Sequence, residues 1–426
     1  MAAHTGVRRS GSRQAPETAL VIGAGIAGPV AAAALQKAGI QPVIYESYEA
    51  SAEGLGAFLT LGVNGIDALR TVAMDAPVLA RGFLTPRMVI ANGDGRVLAD
   101  FPNGGTLIDG TGAITIARPD LYAALREEAI GRGIRIEHGK QLVDVSGEED
   151  RVRAHFADGT TAEADVLIGA DGIHSTTRRL IDPDAPQPSY VGFLNTGGYA
   201  RGVHVPGAPG VSHLVFGKRA FFGYIKHPNQ DVWWFANLPS PVDPDPAELA
   251  AIPPQQWRAR LLDLFSKDST PALDAIRHTD EIFAGWSTYD MPSVPTWCTD
   301  RMVIIGDAAH AVSPSAGQGA SMAAEDAVIL AKCLRDIPET PRALQKYQHL
   351  RRDRVERVVT QGRRNGDGKT AGPIVRVFRD LFMPIAMRRM FAGGRDPFRW
   401  VWSHHIDWDS AATAEPSNTH GNAAHS

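Results

Sequence analysis

Cysteine is scarce: Cys298 and Cys333 are the two in 426 residues. They are too few and too widely separated for a zinc site, a paired-thiol redox motif or a disulfide framework. This points to a reducing, cytoplasmic setting and leaves a metal without ligands. No charge of one sign is in excess. Lys and Arg number 43 against 47 Asp and Glu, giving a formal net charge of −4 and a pI near 6.4. With no long single-sign run, nothing draws the chain toward nucleic acid. Internal repeats are missing, as are uninterrupted apolar runs of the roughly 18 residues that a membrane helix needs. The apolar stretch Ala19 to Leu35 lies behind Arg8-Arg9 in the manner of a twin-arginine export signal, but Gly23, Gly25, Gly28 and Pro29 divide it into strand, turn and helix. What remains is an ordinary globular composition, long enough for two or three lobes, whose partner is a small molecule. The ends, 1–16 and 411–426, read as disordered tails.

Three glycine-bearing turns stand out. In the first, the apolar strand Ala19 to Ile22 runs into Gly23-Ala24-Gly25-Ile26-Ala27-Gly28, a helix to about Ala38, and a second strand ending at Glu46. This is a βαβ dinucleotide fingerprint. Gly23 permits the tight turn, Gly25 lets the backbone approach a pyrophosphate, and Gly28 lets helix and strand pack closely. Glu46 is placed to accept from ribose hydroxyls, and an acid there disfavours a 2′-phosphate. In the second, the strand Asp165 to Gly169 meets Ala170-Asp171-Gly172, followed by Ser175 and Arg178. These side chains face a ligand, or Asp171 and Ser175 merely cap the next helix. In the third, Met302 to Ile305 leads through Gly306-Asp307 to Gly317-Gln318-Gly319, which opens a helix. A helix N-terminus at a strand end offers N–H groups to negative charge. Taken alone, the third turn is equally a tight loop that needs glycine.

Between the turns, Asn92-Gly93-Asp94-Gly95 predicts a hairpin, and Arg118-Pro119 opens a helix that runs to about Arg132. Arg118 is either a ligand contact or a solvated surface residue. Ile134 to Ala164 reads as a small meander. From Tyr190 to Asn237 the chain turns aromatic and alternating, as in an antiparallel sheet, and alternation selects Phe222, Tyr224 and Trp234 as pocket-facing candidates. Core packing is the competing reading for each, since a strand must bury one face. Arg342 to Arg364 predicts a long charged helix whose arginines, Arg351 and Arg354 among them, form a solvated face. Pro373 to Phe391 predicts a more apolar one.

With GAGIAG, GADGIHSTTR and GDAAHAVSPSAGQG in this order, the chain resembles the single-component, class A FAD-dependent aromatic hydroxylases of the p-hydroxybenzoate hydroxylase type, from about Ala19 to Arg364. The resemblance implies a mixed α/β fold: a Rossmann-type FAD-binding domain in two parts (17–188 and 286–340), an interleaved antiparallel substrate domain (189–285) and C-terminal helices (341–410). It implies tightly but non-covalently held FAD, NADPH or NADH as transient electron donor, and O2 as co-substrate. An aromatic or polycyclic small molecule would be hydroxylated through a flavin hydroperoxide, by a monomer or homodimer. Epoxidation, Baeyer–Villiger insertion, dehydrogenation and a non-catalytic FAD-bound role are the alternatives. A halogenase is disfavoured because Trp233-Trp234-Phe235 departs from that group's WxWxIP element. Residue by residue, the resemblance assigns Gly23, Gly25, Gly28 and Glu46 to the ADP half of FAD. Asp171 and Gly172 belong to the second motif, Asp307 to the ribityl chain and Arg118 to a cofactor contact. Pro314, Gly317, Gln318 and Gly319 form the loop beside the reacting ring. His310 is expected behind that loop in a structural role. The family often carries Asn two residues beyond the GQG turn, whereas this chain has Ser321; a Ser321→Asn change is expected to keep FAD and alter turnover. The acidic residue at the ribose is often followed by Arg, and here Ser47-Tyr48 follows Glu46.

Overall fold

The computed structural model of the chain describes residues 15–49, 58–148, 150–291, 293–312, 317–367, 373–391 and 396–413. Most of both expected tails lies outside that set. At their inner edges, however, Pro16 is buried, and Ala412 is buried with its N–H donating to Asp336 (2.7 Å). Packed chain therefore extends slightly further than composition indicates.

Five parallel strands form the first sheet, in the order Met302–Ile304, Val166–Gly169, Thr18–Ile22, Gln41–Tyr45, Arg135–Glu137. The central ones are apolar nearly throughout because both faces are covered. Leu20, Val21, Leu167, Ile168, Val303 and Ile304 are all buried. The helix Ala27–Lys37 is rich in alanine and lies against the helix Gly319–Asp336, where small side chains let the two backbones approach. The three strands at 18–22, 166–169 and 302–304 are adjacent, so the glycine turns that follow them all open at the same carboxyl edge. Such an edge is where open α/β sheets bind ligands. Arg135–Glu137, expected as the first strand of a meander, instead pairs in parallel with Gln41–Tyr45. The other three meander strands form their own sheet.

An eight-stranded sheet makes the second lobe. It draws the hairpin Arg87–Asn92 and Val97–Pro102 from well before residue 189, because Val211–Phe216 pairs in parallel with Arg87–Asn92. One face packs on the helices Pro254–Phe265 and Ala272–Arg277 through Trp257, Leu261, Phe265 and Ile276. Phe222, Tyr224 and Trp234 belong to this buried face. Phe222 stacks on Trp234 (5.5 Å) and meets Phe265 edge-on (5.3 Å), while Trp234 Nε1 donates to Thr279 Oγ1 (2.8 Å). These three are core residues, which corrects their choice as pocket-facing. The opposite face turns Tyr199, Trp233 and Phe235, all half-buried, toward Phe58 of a small sheet, with ring centroids 5.7 Å (Trp233) and 5.9 Å (Phe235) from Phe58.

The helix Thr340–Asp367 packs along Gly319–Asp336. Its arginines are not a uniformly solvated face. Arg351 is 1% exposed and donates to Asp326 Oδ1 and Glu325 Oε2 (both 2.7 Å). Arg354 clasps both oxygens of Glu325 (2.8 Å each). Burial pushes the Glu325 carboxyl up, but Arg351 and Arg354 outweigh it and hold it well below the usual carboxylate range. The last long helix, Pro373–Met390, lies across the aromatic side of the large sheet, with Arg379 over the ring of Phe216 (4.4 Å) and Asp380 accepting from Asn92 Nδ2 (2.8 Å). Among the described residues no helix is long and apolar enough to cross a membrane. Removing one partner of a buried ion pair costs about 3–5 kcal/mol, whereas a surface change stays within about 0.5 kcal/mol. Arg351→Met is accordingly expected to lower unfolding stability by about 3–5 kcal/mol in urea, and exposed Arg364→Ala to leave it unchanged; equal stabilities would refute the network.

Candidate active site

The first two glycine turns touch. A Cβ on Gly28 would stand 1.9 Å from the carbonyl oxygen of Gly23, and one on Gly23, whose φ is +103°, would stand 2.5 Å from that of Ala170. At Gly25 a Cβ would meet nothing within 4 Å, so its backbone borders open space. The N-terminus of Ala27–Lys37 follows directly. Glu46 closes the turn from the side: Oε2 accepts from Ala24 N–H (2.7 Å), and Oε1 from Tyr48 N–H (3.0 Å).

The second turn is a frame. Asp171 Oδ1 accepts from Ser175 Oγ (2.5 Å), and Oδ2 from the N–H and hydroxyl of Thr177 (both 2.9 Å). Ser175 in turn caps its helix by accepting from Arg178 N–H (2.9 Å). The capping alternative is thus realised, with the Asp171 carboxylate engaged inside the protein. Arg178 is buried and donates to the carbonyls of Ala308 (2.9 Å) and Ile173 (2.7 Å), which ties the second turn to the third.

Asp307 is different in kind. It lies in the open crevice but is ringed by protein, and no hydrogen bond reaches its carboxylate among the described residues. Desolvation pushes its carboxyl up, while His310 and Arg118 pull the other way. Arg118, at the start of the helix Arg118–Gly131, likewise has no hydrogen bond or ion pair among those residues. Gly319 stands beside Asp307: a Cβ there would lie 3.8 Å from Oδ1. An unpaired acid, an unpaired base, open backbone at Gly25 and two helix N-termini around one crevice fit the polar chain and pyrophosphate of FAD.

The Gly317-Gln318-Gly319 loop is braced from behind, and Pro314 lies outside the described residues. Gln318 is buried with its side chain turned away from the loop's open side, accepting from Asn64 Nδ2 (3.0 Å). Ser321 Oγ accepts from Gly62 N–H (3.2 Å), and a Cβ on Gly65 would come within 2.5 Å of it. Ser321 therefore faces the helix Val63–Thr71, where an amide has no room. His310 is 4% exposed, packs on Trp297 and donates from Nε2 to Asp326, as its structural reading requires. Sequence reasoning did not find Asn64 or Asp326; Glu325-Asp326 stands as a charged pair among small and apolar residues of its helix, and nothing in the sequence marks Asn64.

Past the loop lies the half-buried aromatic face of the large sheet, with Tyr199, Trp233 and Phe235. Burial, with Asp120 nearby, pushes the Tyr199 hydroxyl up to about 12 and keeps it protonated. Hydrogen bonds to charged groups contribute about 1.5–3 kcal/mol. Asp307→Ala is expected to weaken FAD binding roughly 10- to 100-fold on titration without lowering the melting temperature of the apoprotein; unaltered affinity would remove Asp307 from the site. Overpacking costs about 1–3 kcal/mol, so Ser321→Asn is expected to lower the melting temperature more than Ser321→Ala does. Equal melting temperatures would show that the hydroxyl is not wedged against Gly65.

A protein-family profile described as FAD binding domain matches residues 17–362. The chain is 31% identical over 352 residues to a 2-heptyl-3-hydroxy-4(1H)-quinolone synthase of Pseudomonas aeruginosa, covering 80% of this chain and 86% of that one. It is also 31% identical over 394 residues to the 3-amino-4-hydroxybenzoate 2-monooxygenase PtnB3 of Streptomyces platensis, covering 90% and 94%. Among solved structures, Klebsiella pneumoniae HpxO complexed with FAD and uric acid matches with a TM-score of 0.76 at 25% identity, over 88% of this chain and 95% of that one. The converging strand ends, the cradle around Asp307 and these likenesses agree: the chain belongs to the FAD-binding class A aromatic monooxygenases.

Proposed function

We propose that the protein consumes NADPH or NADH together with O2 to hydroxylate an electron-rich aromatic or heteroaromatic ring carrying oxygen or nitrogen substituents. The substrate class follows the relatives, whose names specify an aminohydroxybenzoate and a quinolone. The observation that carries the reading is the unpaired Asp307 facing Gly319 at the N-terminus of an 18-residue helix, beside an aromatic sheet face. Bound FAD supplies the redox chemistry: two electrons arrive as hydride from the nicotinamide, one atom of O2 enters the substrate, and the other leaves as water.

The protein's own part is placement, charge and dryness. The first turn of Gly319–Asp336 presents backbone N–H groups that would stabilise negative charge on the ring of bound FAD, with the dipoles in place beforehand. Asp307 would accept from hydroxyls of the ribityl chain, and Glu46 from those of the ribose. Tyr199, Trp233 and Phe235 exclude water from the sheet side. The Tyr199 hydroxyl, protonated at neutral pH, donates hydrogen bonds and does not serve as a base.

The deciding experiment uses purified protein under labelled O2. Phenols, hydroxypyridines and quinolones are screened for stimulated NADPH or NADH oxidation, and product mass is measured. Incorporation of one labelled oxygen atom per product is the expected result. Product without label would make the enzyme a dehydrogenase, and protein that neither carries flavin nor quenches added FAD would overturn the reading outright.

A further inference from the structure

The helix Pro373–Met390 is amphipathic in the reverse sense to an ordinary surface helix, which turns its apolar stripe inward. In its first half the charged residues face the protein. Arg376 donates to the carbonyl of Lys218, Arg379 lies over the ring of Phe216 (4.4 Å) and pairs with Asp380 (2.8 Å), and Asp380 accepts from Asn92 Nδ2 (2.8 Å). The apolar residues face solvent. Val375, Phe378, Phe382 and Ile385 recur at the spacing of one helical face, with Leu381 beside them, and all five are between 48% and 59% exposed. Phe378 and Phe382 stack with ring centroids 6.1 Å apart. Half of the large apolar side chains exposed among the described residues lie on this one helix of 18 residues, so the exposure is concentrated rather than scattered. Val97, on the strand against which the helix packs, is exposed as well.

Charge distinguishes between the surfaces that could cover this face. Exposed charge on the helix is confined to Arg388 and Arg389 at its C-terminal end, because its one acid, Asp380, is turned inward and engaged. Arg399 is exposed shortly beyond. The two acids that share a cavity wall with Arg388 and Arg399 are taken. Asp100 pairs with Arg87 (2.6 Å), and Asp396 accepts from Phe398 N–H (2.8 Å) and Trp402 Nε1 (2.7 Å). A second copy of the same face would match apolar to apolar but bring more arginine and no exposed acid. An anionic lipid surface answers both features: acyl chains receive the stripe, and phosphates receive guanidinium groups carried on long flexible stems.

We propose that the helix Pro373–Met390 docks the enzyme on an anionic lipid bilayer. It lies in the plane of the interface, with Val375, Phe378, Leu381, Phe382 and Ile385 inserted among the acyl chains and Arg388 and Arg389 on lipid phosphates. The helix rests on the membrane without crossing it, in keeping with its length and its arginines. Each arginine near an anionic surface is worth roughly fivefold in affinity, and salt screens that share of the binding. Docking brings the enzyme to substrates that partition into lipid. The inference goes beyond the monooxygenase reading and does not depend on it.

The test floats FAD-loaded full-length enzyme with vesicles of phosphatidylcholine alone and of phosphatidylcholine mixed with phosphatidylglycerol, at low and high salt. The expected result is binding to the mixed vesicles roughly tenfold or more tighter than to the neutral ones, and weakened by salt. The Phe378→Ser/Phe382→Ser variant loses at least about tenfold in binding to the mixed vesicles, while its FAD content and melting temperature stay at wild-type level, which shows that it is folded. In the Arg388→Gln/Arg389→Gln variant the preference for mixed vesicles disappears. Failure to bind either vesicle overturns the proposal, as does equal binding to both or wild-type binding by the phenylalanine variant. A wild-type dimer in light scattering that the phenylalanine changes convert to a monomer would assign the face to a second copy and overturn it too. Vesicle binding is read without turnover, so a negative result leaves the monooxygenase reading standing, and an enzyme that docks but hydroxylates nothing leaves the docking standing.

Discussion

Two neighbouring carboxylates buried in one helix set the frame of this molecule. Glu325 and Asp326 are both 0% exposed, a placement that would be prohibitive without neutralising partners. Arg351 and Arg354 provide them from the next helix. The remaining bonds reach outward. Asp326 Oδ2 accepts from Gly306 N–H (2.9 Å), at the turn that carries Asp307, and also meets His310. Glu325 Oε1 accepts from Asn64 Nδ2 (2.7 Å), which also donates to Gln318. One pair of acids therefore indexes the third strand turn, the glycine loop and the C-terminal helix to a common axis. Apolar side chains of similar volume would hold the helices together as well or better; they would not fix the orientation of the Gly306 and Gln318 backbones. The network is accordingly read as a positional device more than a source of net stability.

The same logic separates structural charges from functional ones. Arg178, Arg351, Asp171, Glu325 and Asp326 are buried or half-buried and engaged by protein groups, so each holds backbone in place. Asp307 and Arg118 are held just as firmly by their elements, yet their charged ends face the crevice without a partner among the described residues. A charged group kept in a protein-ringed crevice without a hydrogen-bond partner raises the free energy of the empty site. That cost is recovered when a polar ligand supplies the missing hydrogen bonds.

How far this was legible in the sequence depends on how local each constraint is. The glycine turns could be read because a backbone contact as short as the one at Gly28 admits no side chain, so chemistry and spacing are written into adjacent positions. The aromatic lobe could be read as a sheet but not as a site. Alternation separates Phe222, Tyr224 and Trp234 from Tyr199, Trp233 and Phe235; it does not say which set meets the helices at 254–277 and which meets the crevice. Only the tertiary partner decides that, and here it is Trp257 and Phe265 that claim the first set. The arginines of 340–367 fail for a related reason. Helical spacing puts Arg351 on a face, but its partners lie 25 and 26 residues earlier on another helix. The hairpin at 87–102 was recognised as a hairpin, whereas its membership in the large sheet depends on a parallel pairing with residues more than 100 positions away.

Ser321 shows how a departure from a family pattern can be absorbed away from the cofactor. Its hydroxyl lies within hydrogen-bonding distance of Gly62 N–H and against the backbone of Gly65, where a Cβ would be only 2.8 Å from the Ser321 Cα. The helices at 63–71 and 319–336 can be this close because one contributes glycine and the other a small hydroxyl. A larger amide at 321 would need either a rotated side chain or a displaced helix, and the second alternative would carry Asn64 away from Gln318 and Glu325. The residue at 321 therefore acts on the glycine loop through the helix behind it. A change there alters where the loop sits before it alters what the loop touches.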